Sequence, residues 1–185
     1  LINQQPTSVR YALTLADWAQ QRGDSQTAIA EYQRVLGQQP DNGDARLGLA
    51  EVYLADGDKN AARAQVAQLK GEDIDSINMQ RRIALAQAGL GDRAQAQQTF
   101  ARIVPQAKAQ PPSMESALVL RDAARFQAQN DEPQQALEGY KDAMVASGVA
   151  RERPQDNDTF TRLTRNDSSD DWLKRGIRSD AADLY

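Results

Sequence analysis

The chain of 185 residues is 40 % hydrophobic, 26 % charged and 5 % aromatic, carries a formal net charge of -4, and contains neither cysteine nor histidine. Those counts exclude disulfide scaffolds, zinc fingers, cysteine nucleophiles and any mechanism built on an imidazole base. A sequence pI near 4.9 argues against a nucleic-acid or anionic-lipid surface, which needs clustered Lys and Arg, and no apolar run is long enough to span a bilayer as a helix. Alanine (30) and glutamine (22) dominate, while valine, isoleucine and the aromatics are scarce. That composition favours helix over sheet.

In chain order, the first segment, LINQQPTS, echoes VLGQQPDN one period later, so residues 1–8 read as the tail of an earlier repeat. The period itself is marked by Gly23-Asp24, Gly57-Asp58 and Gly91-Asp92, spaced by 34 residues twice (57 − 23 and 91 − 57). Ala16, Ala50 and Ala84 keep the same step, as do Ala28, Ala62 and Ala96, Leu15, Leu49 and Ile83, and Pro6 and Pro40. Each unit is punctuated as a helical hairpin. A helix ends at a glycine able to take a positive φ, and Asp24 or Ser25 can cap the helix that follows. The alanine series lets the two helices approach closely, while Leu15, Leu49, Ile83, Tyr32, Val66 and Phe100 fill the space between neighbours. Pro40 closes a second helix. After the third unit the register slips by six residues: Pro105, Pro111 and Pro112 bracket an expected polar loop near 105–112 that redirects the array. A fourth hairpin resumes with Ser113 or Ser116 as cap, Asp131 in the glycine's place, and Ala136, Tyr140 and Ala143 following. The four hairpins are expected over 9–147.

These residues resemble the tetratricopeptide repeat, a 34-residue helix-turn-helix with small residues at positions 8 and 20, an aromatic at 24 and proline at 32. Repeat one carries Ala16, Ala28, Tyr32 and Pro40 at those places, whereas repeat two has Val66 for the aromatic. The resemblance implies an all-α, right-handed solenoid whose first helices line a concave groove that binds partners. Carried over position by position, the family's groove places (2, 5, 9, 12 and 13) fall on Arg10, Asp17, Gln20 and Gln21 in repeat one and on Asp44 and Glu51 in repeat two. They fall on Asn78 and Arg81 in repeat three and on Arg121 and Arg125 in repeat four. The groove is thereby expected to run from mixed and acidic to basic. The competing reading is an ordinary solvated helix face, since exposed charges need no special explanation.

Three stretches imitate catalytic or ligand chemistry. Gly89-Leu90-Gly91-Asp92-Arg93-Ala94 fits the G-x-G-x-x-A dinucleotide fingerprint by letter, but a strand must precede those glycines and here a helix does. The acidic groups Glu72-Asp73-Asp75 and Asp167-Asp170-Asp171 lack the spacing of a calcium loop and precede helix-like runs, where carboxylates cap free N–H groups. Tyr11, Trp18, Tyr53 and Phe126 recur at helical spacing and read as inter-repeat core rather than a sugar-stacking platform; exposure of Trp18 or Tyr53 in the groove would reverse that order.

From Gly148 alanine thins out, and Arg151 to Asp158 is charged and proline-broken, a linker. Beyond it Ser168 or Ser169 can cap a helix carrying Leu173, Ile177, Ala181 and Leu184, so 148–185 reads as linker plus a capping helix that closes the solenoid and leads to a further domain. The segment QDNDTFTRLTRNDSSDDWLKRGIRSDAADLY (155–185) is similar to the one that follows the repeats in the cellulose synthase operon protein C family. That resemblance implies a non-catalytic scaffold without cofactor or metal, lying in the periplasm of a parent anchored in the outer membrane. It would link the inner-membrane cellulose synthase to an outer-membrane export barrel through protein partners of the synthase complex, with the glucan chain as a further candidate ligand. The alternative is a peptide-binding or assembly adaptor unrelated to cellulose.

Overall fold

The computed structural model describes residues 8–69, 76–148 and 180. Among them are eight helices and no strand: α1 (Val9–Gln21), α2 (Ser25–Gln38), α3 (Gly43–Ala55), α4 (Lys59–Val66), α5 (Ile77–Leu90), α6 (Arg93–Ala109), α7 (Met114–Ala128) and α8 (Pro133–Ala146). This is an all-α tetratricopeptide-type solenoid. The chain divides into two compact units, 1–96 and 97–185, with the division inside α6.

Local chemistry sets the helix starts. Ser8, Asp24, Asn42, Asp58, Ser76 and Ser113 each accept from the backbone N–H three residues on, filling one of the four orphan donors of a helix N-terminus. Between the alternatives left open by the sequence, Asp24 rather than Ser25 caps α2, and Ser113 rather than Ser116 caps α7. At α8 Glu132 makes no side-chain cap hydrogen bond; Pro133, whose ring presets a helical φ, occupies its first turn instead. Between the helices of a hairpin the chain turns through a left-handed residue, with φ of 75° at Gly23, 83° at Gly57 and 90° at Gly91.

Asp131 takes the same place in the fourth hairpin at φ 61°. A side chain there carries a steric cost that glycine lacks. Asp131→Gly is therefore expected to raise the stability of the second unit by roughly 1 kcal/mol, read as an increase in the urea midpoint of its helical signal.

The periodic alanines do what their spacing suggests. Ala16, Ala28, Ala50, Ala62, Ala84 and Ala96 are all fully buried, and small side chains there let α1 and α2, and α3 and α4, pack face to face. Around them Tyr32, Val35, Leu49 and Val52 form one cluster of the first unit with Ala12, Ala19 and Ala45. Leu47, Met79, Ile83 and Ala86 form a second. Each large side chain so buried contributes roughly 1.5–3 kcal/mol of transfer free energy. In the second unit Phe100 and Phe126 meet at 5.3 Å between ring centroids, and Gly139 lets α8 approach α7 so closely that a Cβ on it would lie 2.9 Å from the Ala124 Cβ.

The expected loop at 105–112 is corrected. Pro105 lies inside α6, which runs 17 residues to Ala109, against 14 for α2 and α8. The extra residues mostly lengthen a helix. Proline deprives the Ala101 carbonyl of a donor and strains the turn, yet Ile103 and Ala107, one turn apart on the same face, are both buried; their packing holds the helix through the proline. The linker and capping helix expected over 148–185 lie outside the described residues, except Gly148, which ends α8 at φ 75°, and the helical Asp180.

Candidate functional site

The groove positions of the first unit converge on one polar chain of contacts running across three successive first helices. The Tyr32 hydroxyl donates to Asp17 Oδ1 at 2.6 Å, and the Gln20 side-chain oxygen lies 2.8 Å from it. The Gln20 amide in turn reaches Glu51 Oε2 at 3.3 Å. Glu51 is gripped from the other side by Arg82, whose Nε and Nη2 donate to its two carboxylate oxygens at 2.8 and 2.9 Å, a bidentate fork. Arg82 also reaches Asp44 Oδ1 at 3.3 Å.

Arg82 is the member that sequence reasoning missed. It occupies position 6 of its repeat (82 − 76), outside the family's groove places, whereas its neighbour Arg81 was selected. In the structure Arg81 turns to Asn78, donating to its Oδ1 at 2.9 Å, and Arg82 joins the carboxylates. The available signal was its 31-residue separation from Glu51, the same offset that brings Gln20 to Glu51 and Ser25 to Asp56. Arg10 and Gln21 are exposed on α1 and take no part in this network.

Below the network opens a cleft of about 680 Å³ lined by Pro40, Asp41, Asn42, Asp44, Asn78 and Arg82, among others. Its charges are two carboxylates against one guanidinium that is already engaged, so it suits a polar or cationic ligand over an anion. Burial works against the Arg82 charge, but the Glu51 hydrogen bond and charge, with Asp44 adding, outweigh it and leave the guanidinium above its ordinary value.

The expected acidic-to-basic gradient does not survive. Arg121 is spent on Asp122, 2.6 Å away and buried beside it, and Arg125 is 2.5 Å from Asp180. Both basic candidates in the fourth repeat are paired with acids of their own unit, Asp122 and Asp180, which lie outside the counted groove positions.

The aromatic expectation also needs correction. Phe126 is buried and Tyr53 half-buried, but Tyr11 and Trp18 are 57 % and 55 % exposed, and the Arg22 guanidinium sits over the Trp18 ring at 4.8 Å. They occupy positions 3 and 10 (11 − 8 and 18 − 8), whose counterparts Ala45 and Val52, Met79 and Ala86, and Val119 and Phe126 are all buried. These positions face the preceding hairpin rather than the groove, and α1 is the first described helix. Their exposure therefore does not make a groove platform.

Burial pushes the phenol of Tyr32 far above the usual tyrosine range, with the Asp17 hydrogen bond adding to it. Burial does the same at Tyr140, where the Asp180 charge adds. Both stay neutral in the folded chain while the unfolded phenols ionise near the ordinary value of about 10. The stability they contribute is therefore intact below that value and lost as pH rises beyond it. The urea midpoint is expected to fall progressively as pH rises above about 10, with a shallower fall in Tyr32→Phe.

The fingerprint-like glycines behave as repeat punctuation: Gly89 and Leu90 end α5, and Gly91 is its left-handed cap. Among the described residues no group of acidic side chains is placed to hold a metal ion, and no helix is long and apolar enough to cross a membrane. The 72–75 and 167–171 clusters lie outside the described residues.

A tetratricopeptide-repeat family model matches residues 19–82. The chain is 69 % identical over all of its 185 residues to the cellulose synthase operon protein C of Salmonella typhimurium (strain LT2), and covers 16 % of that protein. Over its whole length the chain thus matches one segment of the cellulose synthase operon protein C family. It spans about one-sixth of the length of the curated relatives it matches. Two solved structures share the fold at low identity. One is Pseudomonas aeruginosa pilF, with TM-score 0.66 and 15 % identity, covering 96 % of this chain and 76 % of that one. The other is a putative kinesin light chain from Podosopora anserina with nearly identical TPR-like repeats, with TM-score 0.63 and 22 % identity, covering 98 % and 92 %.

Proposed function

We propose that this segment is a non-catalytic periplasmic scaffold in bacterial cellulose biosynthesis and export. It links the inner-membrane cellulose synthase to the outer-membrane exit by holding a protein partner in the groove of its first unit. The observation that carries the cellulose assignment is the 69 % identity over the whole chain to cellulose synthase operon protein C. The groove supports the scaffold role: its carboxylates are fixed by Tyr32, Gln20 and Arg82 in a row across three hairpins, which presents a preorganised polar face without a nucleophile or an unpaired acid to run a reaction. The excess of carboxylates selects a partner segment that carries Lys or Arg.

The test is made in a cellulose-secreting strain whose parent gene carries this segment with Asp17→Ala, Asp44→Ala and Glu51→Ala together. Protein level is followed by immunoblot, and secreted cellulose is weighed after acid digestion. Loss of secretion at unchanged protein level, with loss of synthase subunits from the co-purified material, is the expected result. Full secretion and unchanged co-purification would sink the proposal. The adaptor reading unrelated to cellulose predicts that deletion of the whole segment leaves cellulose output untouched. Chemical-shift changes at Glu51 and Arg82 on adding cellohexaose, with no loss of synthase subunits in the triple variant, would replace the protein partner by the glucan.

A further inference from the structure

Position 7 of a repeat carries a large aliphatic residue in the first three hairpins, Leu15, Leu49 and Ile83, and an alanine in the fourth, Ala123 (123 − 116). In the first unit that side chain fills the space between its own first helix and the second helix of the hairpin before. Leu49 lies in one cluster with Tyr32 and Val35 of α2, and Ile83 lies in another, against which Val66 of α4 packs. Both are buried. In the second unit the corresponding space, between α7 and α6, is a cavity of about 400 Å³. Val104 of α6 and Leu120, Ala123 and Ala124 of α7 make its apolar floor, and α8 supplies a third wall. Phe126 does not fill it, because its ring leans on Phe100 at 5.3 Å. Native interiors close such spaces, since atoms that line a void lose their dispersion partners. The repeat's own rule gives the size of the group that fits here: one leucine or isoleucine side chain.

The rim defines what can surround that group. It carries the carboxamides Gln127, Gln134 and Gln135, the first donating to the last at 3.3 Å. Its two charges are answered within the unit, Lys108 by Asp142 at 2.6 Å and Glu138 by Lys141 at 3.3 Å. A rim of neutral amides with balanced charges disfavours an ionic ligand. Each carboxamide both donates and accepts, which matches the N–H and C=O groups of an extended peptide, whose backbone is not already paired in a helix. We propose that this cavity is a second docking site, different in chemistry from the carboxylate groove, which takes a leucine or isoleucine side chain from an uncharged, extended segment of a protein partner. The partner then supplies at position 7 what the other repeats supply from their own sequence.

Methyl-detected NMR titration of the 185-residue chain with N-acetyl-leucine amide reads the site. The Val104, Leu120 and Ala123 methyls should shift, with an affinity about tenfold above that for N-acetyl-alanine amide, because three further carbons enter apolar surroundings. N-acetyl-lysine amide should leave them unmoved. Ala123→Leu should restore the pattern of the other repeats, so that the leucine-amide response is lost while the urea midpoint of the second unit holds or rises. A midpoint that falls in Ala123→Leu would mean that the space is not there and would overturn the proposal. Equal affinity for the alanine amide, or no shift with the leucine amide, would overturn it too. Shifts of the same methyls with cellohexaose but not with the leucine amide would make the cavity a sugar site instead.

Discussion

Gly48→Ala is expected to destabilise the first unit by about 3 kcal/mol, a large share of the stability of a domain this size. Gly48 sits inside α3 at the crossing with α2, where a Cβ would lie 2.6 Å from Cε1 and from the hydroxyl oxygen of Tyr32. The ring cannot retreat. Tyr32 is fully buried, and its hydroxyl is fixed to Asp17 at 2.6 Å. Either the helices separate and lose packing, or the phenol leaves Asp17 and Gln20, so overpacking and a lost buried hydrogen bond add. Urea denaturation followed by helical circular dichroism measures the loss. Gly37→Ala is the control: it is also in a helix but has nothing within 4 Å of its Cβ, so the same change there should be neutral or stabilise by up to about 1 kcal/mol. Gly48→Ala as stable as the native chain would mean that α2 and α3 are not held at this crossing. Recovery in Gly48→Ala/Tyr32→Leu would localise the effect to the ring.

Arg82→Ala is expected to cost about 2 kcal/mol, and nearly all of it through Glu51. The Arg82 and Glu51 side chains are 21 % and 27 % exposed, close enough to the interior for a bidentate fork to count, whereas Asp44 is 65 % exposed and reached by one nitrogen. A double-mutant cycle separates the two pairs. Arg82 with Glu51 should show a coupling above about 1 kcal/mol that persists in salt, and Arg82 with Asp44 a coupling near zero, as is usual for exposed pairs. Equal couplings would contradict the arrangement. The loss also reaches the groove, because Arg82 holds the carboxylate that Gln20 and the Tyr32–Asp17 pair lean towards; binding of a cationic partner should weaken in Arg82→Ala although a positive charge has been removed.

Helix positions were legible because they depend on neighbours in sequence. The left-handed glycine, the carboxylate or serine one residue before a helix and the alanines at a fixed step are read off a 34-residue period, and Asp131 could be placed in the glycine's role from the same register. Pro105 was misjudged because proline's local cost is visible in the sequence and the burial of Ile103 and Ala107 that offsets it is not. The groove was half legible. Counting to positions 9 and 12 found Asp17, Gln20 and Glu51, but Arg82 lay one step outside the counted places and entered through the geometry of the next hairpin.

The sequence by itself determined the all-α repeat architecture and the left-handed turn residue of each hairpin. Each rests on periodicity and capping, which act over a few residues along the chain. Only the tertiary structure decided which charges are available. Arg121 and Arg125 are cancelled by Asp122 and Asp180, Glu51 and Asp44 converge on Arg82, and Trp18 is exposed at a position where Val52, Ala86 and Phe126 are buried. Those outcomes depend on what stands across from a side chain on another helix, tens of residues away. A linear pattern fixes the face on which a residue lies, and the stacking of one hairpin on the next fixes its partner.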